Sequence, residues 1–243
     1  MSSATVEDYL KTIYLLRQGQ AGDIPVATSE IAERLGLTSA TVTSMIQKLA
    51  QPELELLHYT PYQGVRLTPQ GEKIALQVVR RHRLLELYLA ERLGLSWDQV
   101  HEEAERLEHH ISPTLEERIA TALGNPVVDP HGHPIPSASG EVAHRVGTTL
   151  SALPPGQPAV ILSVNDDDPE LLRYMAARGM YPGVPLLVLE REPFGGSLHV
   201  RVGPAHDPHD HTLSVAAAER VQVTTPAPAP EADRLSEANH SHS

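Results

Sequence analysis

The decapeptide HEEAERLEHH, residues 101–110, has eight of its ten side chains able to carry charge, bind a proton or ligate a metal. A helix advances by about 100° per residue, so His101, Glu105, Glu108 and His109 share one face. Two imidazoles and two carboxylates on one stripe form a donor set for a divalent cation. The same residues suit a solvated face held by i,i+4 pairs. Val100, Ala104, Leu107 and Ile111 flank the stripe without displacing it. Upstream, His82 and Glu86 repeat the i,i+4 spacing on the preceding helix, and a short turn at Gly94 makes the two helices antiparallel neighbours. Taken singly, each pair fits a surface or a satisfied core as well as a ligand set. His206, His209 and His211 in HDPHDH read as a solvated loop, and the terminal HSHS as tail. No HExxH motif occurs, because position 105 is glutamate.

The elements that must position these groups follow from periodicity. Val6, Leu10, Ile13 and Leu16 give a helix over residues 5–17, with Thr5 and Asp8 as a capping box. A short helix, TSEIAERLG, is capped by Thr28 or Ser29 and stopped at Gly36. Another restarts at Thr38 with Val42, Ile46 and Leu49 inward, completing a helix-turn-helix. Two short strands around Pro61–Gly64 then make a wing. Thr68-Pro69 opens a long helix that ends at Gly94. Ser96 and Gln99 cap the helix carrying the decapeptide, and Ser112-Pro113 starts one ending at Gly124. Seven prolines mark residues 125–158 as linker. AVILSV, VPLLVLERE and SLHVRVG read as strands of a small β-barrel, with the helix PELLRYMAARG between the first two.

The expected fold is mainly α with a small β domain. A winged helix-turn-helix spans 1–75, a helical dimerisation and metal-binding domain 76–140, a linker 141–157, an SH3-like β-barrel 158–225 and a disordered tail 226–243. The chain has no cysteine, which excludes disulfides, thiolate zinc sites and a cysteine nucleophile. A net charge of −12 argues against a nonspecific polyanion binder. Neither a signal peptide nor a bilayer-length apolar run is present, so a cytoplasmic protein without membrane contact is expected. Fourteen histidines are many for 243 residues.

Six segments, EDYLKTIY, IAERLGLTSATVTSMIQKL, LTPQGEKIA, RRHRLLE, VHEEAERLEHHIS and DPHGHPIP, occur in the order found in one family. Over residues 5 to about 136 the sequence resembles the metal-dependent repressors typified by the diphtheria toxin repressor and the manganese transport regulator. RGMYPGVPL and PFGGSLHVRVG resemble that family's SH3-like domain, also found in ferrous-transport accessory proteins. The resemblance implies a primary metal site at Asp8, Glu105, Glu108 and His109. It implies a second at His82, Glu86 and His101, completed from the C-terminal domain, where Asp166, Asp167, Asp168 and Glu170 are candidates and Asp167 and Glu170 are chosen. Asp8 and Glu105 are carboxylates, as in the manganese-type members, where the iron type has methionine and cysteine. Oxygen donors suit Mn²⁺. Lys11 departs from the manganese type, which has a glutamate there that helps build a two-metal centre.

The expected function is a manganese-dependent transcriptional repressor of metal-ion uptake and homeostasis genes, acting as a homodimer on palindromic double-stranded DNA. Iron(II) is the alternative within the family. A metallohydrolase, or a winged-helix regulator with an organic ligand, are the rivals outside it. Thr38, Ser39, Ala40, Thr41, Thr43 and Ser44 are expected near bases, with Gln47, Lys48 and Arg66 at phosphates. Residues 1–75 hold six lysines and arginines against eight aspartates and glutamates, so ion-free binding should be weak. The leucine-rich RLLELYLAERLGL is expected to contribute to the dimer interface.

Overall fold

A computed structural model describes residues 3–18 and 24–225; residues 1–2, much of the loop at 19–23 and the expected tail at 226–243 lie outside the described residues. The described residues gather into two compact units, those up to 130 with 134–144, and 131–133 with those from 145 onward.

In the first unit, α1 (Ala4–Gln18), α2 (Thr28–Leu35) and α3 (Ser39–Leu49) are followed by the hairpin β1 (Leu57–Thr60) and β2 (Gly64–Leu67). Leu57 pairs with Leu67 and Thr60 with Gly64, which puts Pro61–Gln63 at the wing tip. Gly64 sits at φ +114, and a Cβ there would lie 2.6 Å from the Val26 carbonyl oxygen. That approach lets Val26 and Val65 exchange two backbone hydrogen bonds of 2.9 Å, fixing the wing to the start of the helix-turn-helix.

The caps correct some expectations. Ser3, not Thr5, serves the start of α1: its carbonyl accepts from Glu7 N at 3.1 Å. Asp8 is thereby left for other work. The cap of α2 is Ala27, whose N–H donates to Glu30 Oε2 at 3.0 Å. Thr38 and Gly36 act as expected: Thr38 Oγ1 accepts from Thr41 N, and Gly36 closes α2 at φ +63.

The helix α4 (Pro69–Leu93) is roughly 37 Å long by its rise per residue. Its first half completes the winged-helix core through Ala75 and Val79, beside Leu10, Ile13, Ile46 and Leu57. Its second half supplies Leu84, Leu85 and Leu89 to a separate core with Val100, Ala104, Ile119 and Ile135. One rigid element thus joins the reading head to the helices α5 (Val100–Leu107) and α6 (Pro113–Ala122). Gln99 Oε1 accepts from Ser96 N at 3.3 Å, but α5 begins only at Val100. It ends at Leu107, so Glu108 and His109 lie in the following turn rather than on a continuous helical face.

The proline-rich stretch is not a free linker throughout. Arg83 donates to the Pro134 carbonyl at 2.6 Å, Arg80 to that of Pro136 at 2.8 Å, and Trp97 to that of Pro130 at 3.0 Å. Proline lacks an N–H but keeps its carbonyl, so the arginines of α4 hold this segment by its acceptors.

The second unit is a six-stranded antiparallel sheet in the order β3-β8-β4-β5-β6-β7. Its strands are β3 (Thr148–Thr149), β4 (Pro158–Val164), β5 (Pro185–Arg191), β6 (Leu198–Val202), β7 (His209–Leu213) and β8 (Val221–Thr224). α7 (Pro169–Ala176) follows β4, and α8 (Val215–Ala218) precedes β8. The unit begins before residue 158: β3 pairs with β8, and Leu150 and Leu153 are buried. His209 and His211 belong to β7, not to a loop, because HDHTL pairs in register with LHVRV. That pairing was hidden because only Leu213 of the strand is buried, which leaves almost no apolar alternation to read.

Candidate metal centre and nucleic-acid interface

The first unit brings together side chains far apart in sequence. From α1, Asp8 Oδ1 lies 2.7 Å from His109 Nε2. The other ring nitrogen, His109 Nδ1, lies 2.7 Å from Glu7 Oε2. Glu108, fully buried, places Oε1 3.4 Å from His109 Nε2. Donor atoms of Asp8, Glu108 and His109 all lie within 4.8 Å of one another. Ion–ligand bonds of about 2.1 Å put opposed donors about 4.2 Å apart, so this oxygen–oxygen–nitrogen set stands near ligand spacing and fits a divalent ion.

Glu105 is drawn elsewhere. Lys11 Nζ donates to Glu105 Oε1 at 2.7 Å and to Glu108 Oε2 at 2.8 Å, and lies 3.1 Å from His82 Nδ1. His82 continues the chain of contacts. Its Nδ1 lies 2.6 Å from Glu108 Oε2, and its Nε2 lies 3.0 Å from Glu86 Oε1 and 3.2 Å from His101 Nδ1. The His82 and His101 rings meet edge to face at 4.8 Å. The expected ligands of the first unit therefore form one network with two ends. Asp8, Glu108 and His109 stand at one end, His82, Glu86 and His101 at the other, and Lys11 lies between them.

Burial sets the electrostatics. It pushes the His82 pKa down, but Glu86 and the hydrogen bonds to Glu108 and Glu86 more than offset that and raise it to about 9. Burial also acts to lower the Lys11 pKa; the Glu108 and Glu105 carboxylates reverse the sign and raise it. Burial would raise Glu105, and the Lys11 ammonium instead holds it below the usual carboxylate range. Asp8 is raised, by burial foremost, against the opposing pull of His109. His109 is raised despite burial by Glu7, Glu108 and Asp8.

Glu7 is a participant that the sequence reading passed over. A carboxylate on one imidazole nitrogen fixes the tautomer that presents the other to an ion. Lys11 follows Asp8 by three positions, so their shared helical face was the available signal for it. His110 is exposed, as expected of a surface histidine.

In the second unit, Asp168 is committed to capping α7, where Oδ1 accepts from Glu170 N at 2.9 Å and Leu171 N at 3.3 Å. Asp167 Oδ2 accepts from Asn165 Nδ2 at 3.1 Å, and Glu170 is exposed in the first turn of α7. Asp166 Oδ2 lies 3.6 Å from His133 Nδ1 and 3.9 Å from His131 Nδ1.

On α3, Val42, Ile46 and Leu49 are fully buried, which turns Ser39, Ala40, Thr41, Ser44, Gln47 and Lys48 to solvent. Thr43 and Arg66 are half-buried. Thr38 is exposed, but its hydroxyl is engaged as the helix cap and lies 2.9 Å from Thr41 Oγ1.

A helix-turn-helix with a wing, carried on a strut that ends in a cation-ready cluster, defines a DNA-binding regulator with a metal centre. Comparison with known proteins gives the family. Residues 1–65 match the model of the iron dependent repressor N-terminal DNA binding domain, and residues 68–137 match its metal binding and dimerisation domain. Residues 148–224 match the FeoA domain. The iron-dependent repressor IdeR of Mycobacterium leprae is 32% identical over 227 residues, covering 87% of this chain and 95% of that protein. The HTH-type transcriptional regulator MntR of Lysinibacillus sphaericus is 38% identical over 122 residues, covering 49% of this chain and 82% of that one. A solved manganese-dependent transcriptional repressor in complex with manganese superposes with a TM-score of 0.84 at 39% identity, covering 91% of this chain and 100% of that chain. The chain belongs to the iron-dependent repressor family, whose members are metal-dependent DNA-binding transcriptional regulators and not enzymes. Among the described residues no helix is long and apolar enough to cross a membrane.

Proposed function

We propose that this chain is a manganese(II)-responsive repressor of metal-uptake genes that binds a palindromic operator in the cytoplasm as a homodimer. The observation that carries the reading is the meeting of Asp8 with Glu108 and His109. Asp8 belongs to the helix packed against the reading head, while Glu108 and His109 follow the helix packed against the second half of α4. A divalent ion bound there supplies the positive charge that lets the two carboxylates face each other. Asp8 then ties α1 to the turn after α5, Glu7 holds His109 in the ligating tautomer, and the reading head is fixed relative to the dimer. A palindrome suits two heads at set spacing.

Oxygen and imidazole donors, without sulfur, support manganese, and the similarity to a manganese-dependent repressor at 39% identity adds weight. The similarity to IdeR favours iron(II) as the second reading. The family resemblance supports a second metal site at His82, Glu86 and His101, with Asp167 and Glu170 as its partners in the C-terminal domain. The proposed domain limits are 1–75 for the winged helix, 76–140 for the helical domain and 158–225 for the SH3-like domain, and the strand and buried leucines that precede residue 158 argue for extending the last. Exposed Leu93 and Leu115 offer apolar surface for the dimer.

The deciding experiment is an anaerobic titration of DNA binding with Mn²⁺, Fe²⁺ and Zn²⁺ in parallel. Activation by Mn²⁺ at lower free ion than by Fe²⁺ is expected. Zn²⁺, which favours four ligands, should bind yet activate poorly. Stronger activation by Fe²⁺ would transfer the function to the iron reading.

A further inference from the structure

Donor atoms of His82, Glu105 and Glu108 also lie within 4.8 Å of one another, a second grouping of metal-ligand type that shares Glu108 with the first. By donor count alone it could hold an ion of its own, bridged to its neighbour by the Glu108 carboxylate. A cationic group of the protein already stands in it. Lys11 is 6% exposed, and its ammonium reaches Glu105 Oε1 at 2.7 Å, Glu108 Oε2 at 2.8 Å and His82 Nδ1 at 3.1 Å. An ammonium has three N–H donors, and three carboxylate oxygens lie in reach of them: Glu105 Oε1 at 2.7 Å, Glu108 Oε2 at 2.8 Å and Glu108 Oε1 at 3.0 Å.

We infer that the Lys11 ammonium is a built-in cation filling the His82–Glu105–Glu108 cluster, so that this cluster takes no divalent ion and the Asp8–Glu108–His109 site holds a single one. The inference rests on the metal reading of the preceding subsection. Two consequences follow from the geometry. Glu105 is held by Lys11 and kept out of the primary ligand set, which narrows that set to Asp8, Glu108 and His109. Lys11 also links α1 to α5 and the turn after it through Glu105 and Glu108, so one ion per protomer suffices to complete the connection. A second ion would have to expel a charged, buried side chain whose partners are themselves buried or held by it.

The test uses the full-length protein and Mn²⁺. Two high-spin Mn²⁺ ions bridged by one carboxylate give an exchange-coupled electron paramagnetic resonance spectrum, whereas separated ions give isolated signals. The wild type should show isolated signals only. Lys11→Glu and Lys11→Met, which remove the positive charge, should bind about one further Mn²⁺ per protomer in the His82–Glu105–Glu108 cluster and acquire the coupled spectrum. A coupled pair in the wild type, or variants with unchanged ion count and isolated signals, would overturn the inference.

A second measurement needs no variant. The chain has three lysines, and Lys48 and Lys73 are exposed. Reductive methylation read by mass spectrometry should modify both while sparing Lys11, in Mn²⁺-free and Mn²⁺-saturated protein alike. Labelling of Lys11 on Mn²⁺ saturation would mean that the ion expels it and would refute the inference. Absence of any Mn²⁺ signal sensitive to His109→Ala would instead sink the metal reading. Protection of Lys11 and the ion gain on its replacement would still stand as separate results.

Discussion

Two regions of this molecule are rich in histidine and carboxylate, and they arrange those side chains in different ways. On the β unit, His199, His209, His211, Glu192, Asp207 and Asp210 crowd β6, β7 and their loops. Most are paired locally and lie in or near solvent: His199 with Glu192 at 3.5 Å, His209 with Asp207 at 3.7 Å, and Asp210 with Arg201 at 2.7 Å. In the helical unit, Asp8, Lys11, His82, Glu86, His101, Glu108 and His109 come from α1, α4 and the region of α5, and they share atoms. Glu86 and Glu108 have no exposed surface at all. Composition is the same in both regions. Convergence from distant elements and removal from water distinguish them, because desolvation is what makes each unpaired charge costly and each partner necessary.

That contrast can be broken by mutation, beginning with the largest effect. Glu108→Ala leaves the buried Lys11 ammonium with Glu105 as its one carboxylate partner, and loss of one partner of a buried pair costs about 3–5 kcal/mol. Urea unfolding should show it, so this variant cannot report on the metal alone. A variant as stable as wild type would mean that Lys11 finds another partner or water. His109→Ala leaves Lys11 paired and should keep fold and dimer while weakening Mn²⁺-dependent DNA binding by about 100-fold or more, beyond what losing a group that only orients a ligand costs. Persistence of the Mn²⁺ response would remove His109 from the site.

Glu7→Gln should sharpen the picture, weakening Mn²⁺ affinity by about 10-fold, the low end for a group that orients a ligating imidazole. Isothermal titration calorimetry measures this directly, and unchanged affinity would reduce Glu7 to an ordinary ion-pair partner. The pH dependence of the metal-free protein offers a subtler check. His82 has its pKa raised from 6.5 to about 9 in the fold. Its protonated form is favoured by folding, so this stabilisation is complete below pH 6.5 and declines as the pH rises through 9. His82→Gln should flatten that decline; a decline of unchanged steepness would assign it to other groups. At the bottom of the scale, His209→Ala with His211→Ala on β7 should leave Mn²⁺ affinity within a factor of about 2, since exposed, locally paired groups contribute little. A larger loss would erase the contrast between the two regions.

Much of this was legible beforehand for definite reasons. Thr38, Gly36, Thr68-Pro69, Gly94 and Ser112-Pro113 announce helix ends by chemistry that acts locally. The buried stripes of α1 and α3 follow from a 3.6-residue period. The expected metal ligands of the helical unit were named from a resemblance, and the structure brings Asp8, Glu108 and His109 together. It moves Glu105 to Lys11, an outcome invisible to spacing because it depends on where a neighbouring helix places one ammonium. β7 escaped notice because its exposed side chains carry no alternation. The segment around Pro130–Pro136 read as linker because Arg83 and Arg80, 51 and 56 residues earlier, and Trp97, 33 residues earlier, supply its contacts, far beyond any local window.

Control of the reading head by an ion at Asp8, Glu108 and His109 is what we propose. It is tested most directly by selecting duplexes from a random DNA library with the wild-type protein in the presence of Mn²⁺. Binding of the selected duplex is then measured by fluorescence anisotropy with Mn²⁺ and with chelator, for the wild type and for His109→Ala. The selection should yield a palindromic duplex that the wild type binds at least about 100-fold more tightly with Mn²⁺ than with chelator, a coupling of about 3 kcal/mol. His109→Ala should bind it equally weakly in both conditions. Equal binding by the wild type with and without Mn²⁺, or a His109→Ala protein that still responds, would contradict the proposal.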